Sequence, residues 1–91
     1  MKRSEISAGG IYSNGKQGRH RAVRRVLDMG PQYKLYSSQE DTDCLSYAIV
    51  EGRREHLDHG TTPGGQQIKY STTASFAAWA KERIGTVEEA A

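Results

Sequence analysis

Residues 19–36 read RHRAVRRVLDMGPQYKLY, and how this stretch folds decides what the rest of the chain can be. Apolar side chains fall at Val23, Val26 and Leu27, then at Tyr33, Leu35 and Tyr36. The first group does not alternate cleanly. A strict period of two from Val23 puts Arg25 on the same face as Leu27, which is costly for an unpaired charge. A bulge at Arg24 and Arg25 lets Val23 and Val26 share a face while both guanidinium groups reach water. Asp28-Met29-Gly30-Pro31 then supplies turn chemistry, because Gly accepts positive φ and Pro lacks a backbone donor. Residues 32–35 alternate as a half-buried strand does. The expectation is a β-hairpin over 19–36.

Upstream, residues 6–12 pass through Gly9-Gly10 into Ile11-Tyr12, a first strand with a bulged or flexible entry. Ser13-Asn14-Gly15-Lys16 follows, and Asn-Gly between apolar-containing runs is the strongest short hairpin signal. Gln17 and Gly18 extend that loop. Downstream, residues 37–43 are polar and acidic, with Glu40, Asp41 and Asp43, and read as a loop. Residues 44–50, CLSYAIV, form the clearest strand, with Leu45, Tyr47 and Ile49 on one face. Residues 51–67 are a long Gly-rich polar connection of the kind that is often functional. Residues 68–70 add a short strand. From Thr72 or Thr73 as N-cap, Phe76, Ala77, Trp79, Ala80 and Ile84 follow helical spacing. Gly85 stands where a C′ residue closes a helix, and Lys81 and Arg83 favour its carbonyl end.

The reading is a mainly β protein of the α+β class. It takes the form of a small SH3-like open barrel of about five short antiparallel strands with one C-terminal α-helix. Phe76 and Trp79 would cover one barrel opening. A sheet with the helix laid across one face fits the same pattern. Residues 1–91 make a single domain on length, with 86–91 as a frayed tail. No apolar run approaches the roughly 20 residues that span a bilayer, so no membrane association is expected. The amino terminus has no apolar segment behind its charges, unlike a signal peptide. The lone Cys44 excludes an internal disulfide framework, and the expected compartment is the cytoplasm.

The net charge is only +2, but it is unevenly placed. Residues 1–35 carry 8 Lys/Arg against Glu5 and Asp28, a net +6; the remainder carries 5 against 9 acids, a net −4. Such asymmetry suggests an anionic partner for the first half, unless the two halves neutralise each other in the fold.

Tyr12 before Asn14-Gly15, the strand residues Arg24 to Leu27, and Phe76-Ala77-Ala78-Trp79-Ala80 together carry a resemblance. The chain resembles short bacterial and phage-encoded β-rich proteins of no assigned activity that end in a Phe-Ala-x-Trp-Ala helix. The resemblance implies a small β-barrel and a phage or prophage setting, and it carries over no site.

Three groups of residues are candidates for chemistry. His56, Asp58 and His59 offer zinc-ligand types, with His20 or Cys44 to complete a set, but no second ligand pair stands at a defined zinc spacing. A polar surface loop explains the same residues, and no cofactor is expected. Cys44 with a His as base would be a nucleophile, yet a lone Cys opening an apolar strand is more often a small buried residue. Lys16, Arg19, Arg21, Arg24 and Arg25, with tyrosines nearby, suit electrostatic nucleic-acid binding through the 19–25 strand. The leading expectation is a non-enzymatic binding module, a phage accessory protein recognising a protein partner through barrel loops or a strand edge. Nucleic-acid binding is the alternative.

Overall fold

Short runs of alternating apolar and polar residues cannot bury a face alone, and five of them pair into one antiparallel sheet. The computed structural model describes residues 1–55 and 59–86. The strands are β1 (Gly10–Ser13), β2 (Val23–Met29), β3 (Leu45–Glu51), β4 (Ile68–Ser71) and β5 (Glu82–Thr86). They lie in the order β4-β3-β2-β1-β5, so β4 and β5 are the edges. Among the described residues one α-helix, α1 (Thr73–Trp79), connects β4 to β5 and packs on one face of the sheet. No helix among the described residues is long and apolar enough to cross a membrane.

Phe76 of α1 is the centre of the core. Its ring meets Tyr12 of β1 edge-on at 5.6 Å, Tyr47 of β3 at 5.4 Å and Trp79 at 5.3 Å. Val26, Leu45 and Ala77 close the same cluster. Burying aromatic rings in such tilted contacts accounts for much of the stabilisation a small core can supply. Tyr12 is fully buried, and its hydroxyl accepts from Ser7 N and donates to Glu5 O, both at 3.0 Å. Gly10 makes room for it, since a Cβ there would stand 2.5 Å from that hydroxyl.

The hairpin expected over 19–36 does not form. β2 pairs with β3 instead, from Val23 opposite Glu51 to Met29 opposite Leu45. After Gly30 the chain makes a 3₁₀ turn, Pro31–Tyr33, and Tyr33 donates its hydroxyl to Asp28 at 2.8 Å. Lys34 pairs with Asp41 at 2.6 Å. These local bonds draw residues 31–36 across the end of the sheet rather than into a ladder. The bulge expected at Arg24 and Arg25 is displaced as well. Leu27 is the extra residue on β2 and Val50 the extra residue on β3. Arg24 therefore shares the helix-covered face with Val26, and Arg25 faces the other way, between Ile11 and Ala48. No bulge is needed to free Arg24, because that face supplies it with a carboxylate and two aromatic rings.

The helix begins where expected, with Thr72 Oγ1 accepting from Ser75 N at 3.0 Å. It stops before Ile84. Ala80 turns to extended dihedrals, and Lys81 N donates to Ser13 O at 2.9 Å, which carries the chain into the sheet beside β1. Residues 82–86 thus become β5, with Gly85 opposite Ile11 and Ile84 bulged outward and exposed. Thr86 pairs with Gly10, and the remainder of the expected tail, 87–91, lies outside the described residues. The outer side of β4 is joined by His59 and Gly60, through His59 N to Ile68 O at 2.8 Å and Ile68 N to Gly60 O at 2.9 Å.

Candidate functional site

Glu55 organises the helix side of the sheet. Its backbone is clamped by buried Gln67: Glu55 N donates to Gln67 Oε1 at 2.8 Å and Gln67 Nε2 donates to Glu55 O at 2.7 Å. This pair of hydrogen bonds, between residues twelve positions apart, fixes where the carboxylate points. It accepts from Arg24 Nη2 at 2.9 Å and from the Tyr47 hydroxyl at 3.2 Å, with Lys69 Nζ 4.0 Å away. The Arg24 guanidinium also lies 4.1 Å from the centre of the Trp79 ring and 4.7 Å from that of Tyr47. Cation–π contact and a charge-assisted bond together hold one arginine against the core.

Burial pushes the Tyr47 phenol up to about 12; the Arg24 guanidinium opposes this and the Glu55 carboxylate reinforces it. Tyr47 is therefore a fixed hydroxyl donor at neutral pH. Beside this cluster opens a cleft of about 490 Å³ along β4, reaching from His59 to Ser75 at the start of α1, with Leu35 on its rim. The His59 ring stacks on Tyr70 at 4.1 Å and 8°, and its Nδ1 accepts from Tyr70 N at 3.3 Å. Tyr33 meets the same Tyr70 ring at 5.2 Å. The cleft presents hydroxyl, imidazole and aliphatic groups on a wall stiffened by Glu55, which suits recognition of a polar ligand with an apolar part.

The residues singled out in the sequence are dispersed. His56 and Asp58 of the zinc candidate lie outside the described residues; His59 is placed, with Nδ1 engaged as above. Cys44 is buried and its thiol donates to Glu40 O at 3.0 Å. Of the basic set, Arg24 is on the helix face and Arg25 on the opposite face. Arg21 lies 3.4 Å from Glu51 and 3.9 Å from Glu82. Lys16 and Arg19 are exposed in the β1–β2 loop.

Sequence reasoning placed Glu55 in the acidic, histidine-containing group 55–59 but missed Gln67 and the pairing of Glu55 with Arg24 and Tyr47, because nothing local marks a glutamine as a clamp for a residue so distant. It also missed Arg53 and Lys81, which the fold brings to the same end of the sheet as Lys16 and Arg19. A Cβ on Gly15 would stand 3.0 Å from Lys81 Cβ, and one on Gly52 would stand 3.3 Å from Ala22 Cβ. Compared with protein-family models, with curated proteins and with solved structures, the chain finds no match.

Proposed function

We propose that the protein is a non-enzymatic binding module, an SH3-like open barrel that takes a short segment of a protein partner into the cleft beside β4. The observation that carries this reading is the cleft itself, a 490 Å³ opening between Leu35 of the 30–44 loop, Glu55 and His59, and the start of α1. Leu35, 48% exposed, offers an apolar contact on its rim. Loops held on a rigid sheet are where recognition concentrates. The strand order β4-β3-β2-β1-β5 is compatible with the barrel reading. The alternative protein surface, the outer edge of β5, is less suited to adding a strand. Glu82, Arg83 and the bulge at Ile84 are the devices by which edges resist pairing. The resemblance to phage-encoded proteins suggests a phage accessory role.

The test is selection from a random peptide display library, followed by amide chemical-shift mapping of the best peptide on labelled protein. The expected result is shift changes centred on Leu35, His59, Tyr70 and Ser75, with binding lost on Ser75→Arg. Enrichment of no peptide, or changes confined to β5, overturns the reading.

A further inference from the structure

We propose that the loop end of the sheet formed by the β1–β2 loop, the end of β3 and the start of β5 binds the phosphate backbone of duplex nucleic acid. Three separate segments converge there. The β1–β2 loop brings Lys16 and Arg19, the turn after β3 brings Arg53, and the residue before β5 is Lys81. All four are exposed. The close approaches of Gly15 to Lys81 and of Gly52 to Ala22 place these segments side by side.

The charge there is available. Glu51 and Glu82 are the carboxylates at the ends of β3 and β5, and Arg21 lies against both of them, at 3.4 and 3.9 Å. Among the described residues, Lys16, Arg19, Arg53 and Lys81 have no carboxylate within 4.0 Å, and Lys81 Nζ donates to a backbone carbonyl, Ala78 O, at 3.0 Å, which leaves its charge unneutralised. The loop that presents the first two is held in shape. Asn14 donates through Nδ2 to His20 O at 2.9 Å and accepts through Oδ1 from Lys16 N at 3.2 Å and Ala22 N at 3.1 Å. Gly15 and Gly18 take left-handed dihedrals, φ 73° and 62°, and a 3₁₀ turn, Gly18–His20, follows. A preorganised loop loses little entropy when its cations are engaged.

The polymer is chosen by what surrounds these cations. Protein interfaces are built on an apolar core, and the large apolar side chains exposed on the strands of this end, Val50 on β3 and Ile84 on β5, are separated by β2 and β1 and form no patch. Single strands are held by stacking on exposed rings, and the tyrosines of this chain are elsewhere: Tyr12 and Tyr47 in the core, Tyr33 and Tyr70 against each other, Tyr36 on the far loop. Cations without rings or apolar anchors fit a regularly charged backbone, read by charge and not by sequence. This differs from binding through the 19–25 strand, since Arg24 is held by Glu55 and Arg25 faces away from the helix.

The test is fluorescence anisotropy of a labelled duplex titrated with the full chain at 50 to 200 mM salt. Four engaged cations give a log–log salt slope of about −3.6, so affinity falls by about 100-fold across that range. The Lys16→Ala/Arg19→Ala/Arg53→Ala variant removes exposed, unpaired side chains and should fold as the parent does, which circular dichroism checks. Its slope should fall to about −0.9. Arg25→Ala should leave both affinity and slope unchanged. Absence of duplex binding at 50 mM salt overturns the proposal. So does loss of binding in Arg25→Ala with the triple variant unaffected. Equal affinity for polyglutamate would assign the surface to acidic protein and overturn the nucleic-acid assignment. The peptide reading of the cleft stands or falls separately, since none of these residues lines it.

Discussion

The two ends of the sheet use charge in opposite ways. At the end formed by residues 30–44 and the start of α1, charged and polar groups are turned inward on one another. Lys34 holds Asp41 at 2.6 Å, Asp28 accepts from Tyr33 and Gln32, and Asp43 accepts from Ala74 N through Oδ1 at 3.1 Å. Gln39, buried, donates to Asp43 O at 2.6 Å and accepts from Leu35 N at 2.8 Å. At the other end the loop is shaped by backbone and by uncharged Asn14; Arg21 lies against Glu51 and Glu82, while Lys16, Arg19 and Arg53 stand in solvent with no carboxylate within 4.0 Å among the described residues. The lesson is that a charge read along a chain is not yet a surface. Asp41 and Asp43 act within the structure, as Arg21 and Arg24 do, while Lys16 and Arg19 remain for something else.

Both ends hang on one core, so the largest effect comes from removing its centre. Phe76→Ala should cost about 3–5 kcal/mol, measured by urea unfolding, and should loosen both ends alike. Retention of one end's amide protection in that variant would mean the ends fold independently. Next come the two loop staples. Asn14→Ala removes three side-chain bonds and should cost about 1–2 kcal/mol. Hydrogen exchange should quicken over 16–22 and stay unchanged over 37–43. Asp43→Ala should cost about as much with the reverse pattern, because Ala74 N at the start of α1 and Arg3 both lose their partner. If either substitution quickens exchange at both ends, the contrast drawn between them is wrong.

Much of this fold is legible locally. The alternation of CLSYAIV, the Asn-Gly turn and the Thr cap each state their conformation within a few residues, and β3, the β1–β2 loop and the start of α1 follow. What is not legible is decided across distance. Residues 80–84 have good helical spacing, yet β1 would be left with open backbone groups, and pairing with it outweighs local preference. The 19–36 hairpin fails because β2 finds a longer partner in β3 and because Asp28 and Asp41 fix the intervening residues. Glu55 carries no motif. Its role follows from Gln67, Arg24 and Tyr47, which only the folded chain brings together.

Tyr47 gives a smaller effect with a defined pH dependence. Tyr47→Phe deletes one hydroxyl bond to a charged acceptor and should cost about 1 kcal/mol at pH 7. The folded protein holds this phenol up to about 12, above the ordinary value of 10.0. Between those values the native state keeps a proton that the unfolded chain has lost, so native stability falls as pH rises. Below pH 10 the group adds no slope. The parent's urea midpoint should therefore fall to that of the variant by about pH 11 and drop below it toward pH 12, since each unit in this window costs about 1.4 kcal/mol, and a constant gap would show that the hydroxyl is not buried beside Glu55.

The smallest effect tests the acidic end on its own terms. Lys34 and Asp41 form the shortest ion pair in the described residues, and Asp41 raises the Lys34 ammonium through a direct hydrogen bond. The pair is nonetheless at the surface, with the Asp41 side chain 70% exposed. Exposed pairs gain little because water screens them and two side chains must be ordered to make them. Asp41→Asn should accordingly shift stability by less than about 0.5 kcal/mol, and the shift should vanish in 1 M salt. A loss several times larger would mean that charge pairing, rather than Gln39 and Asp43 bonding the backbone, holds the 30–44 loop in place.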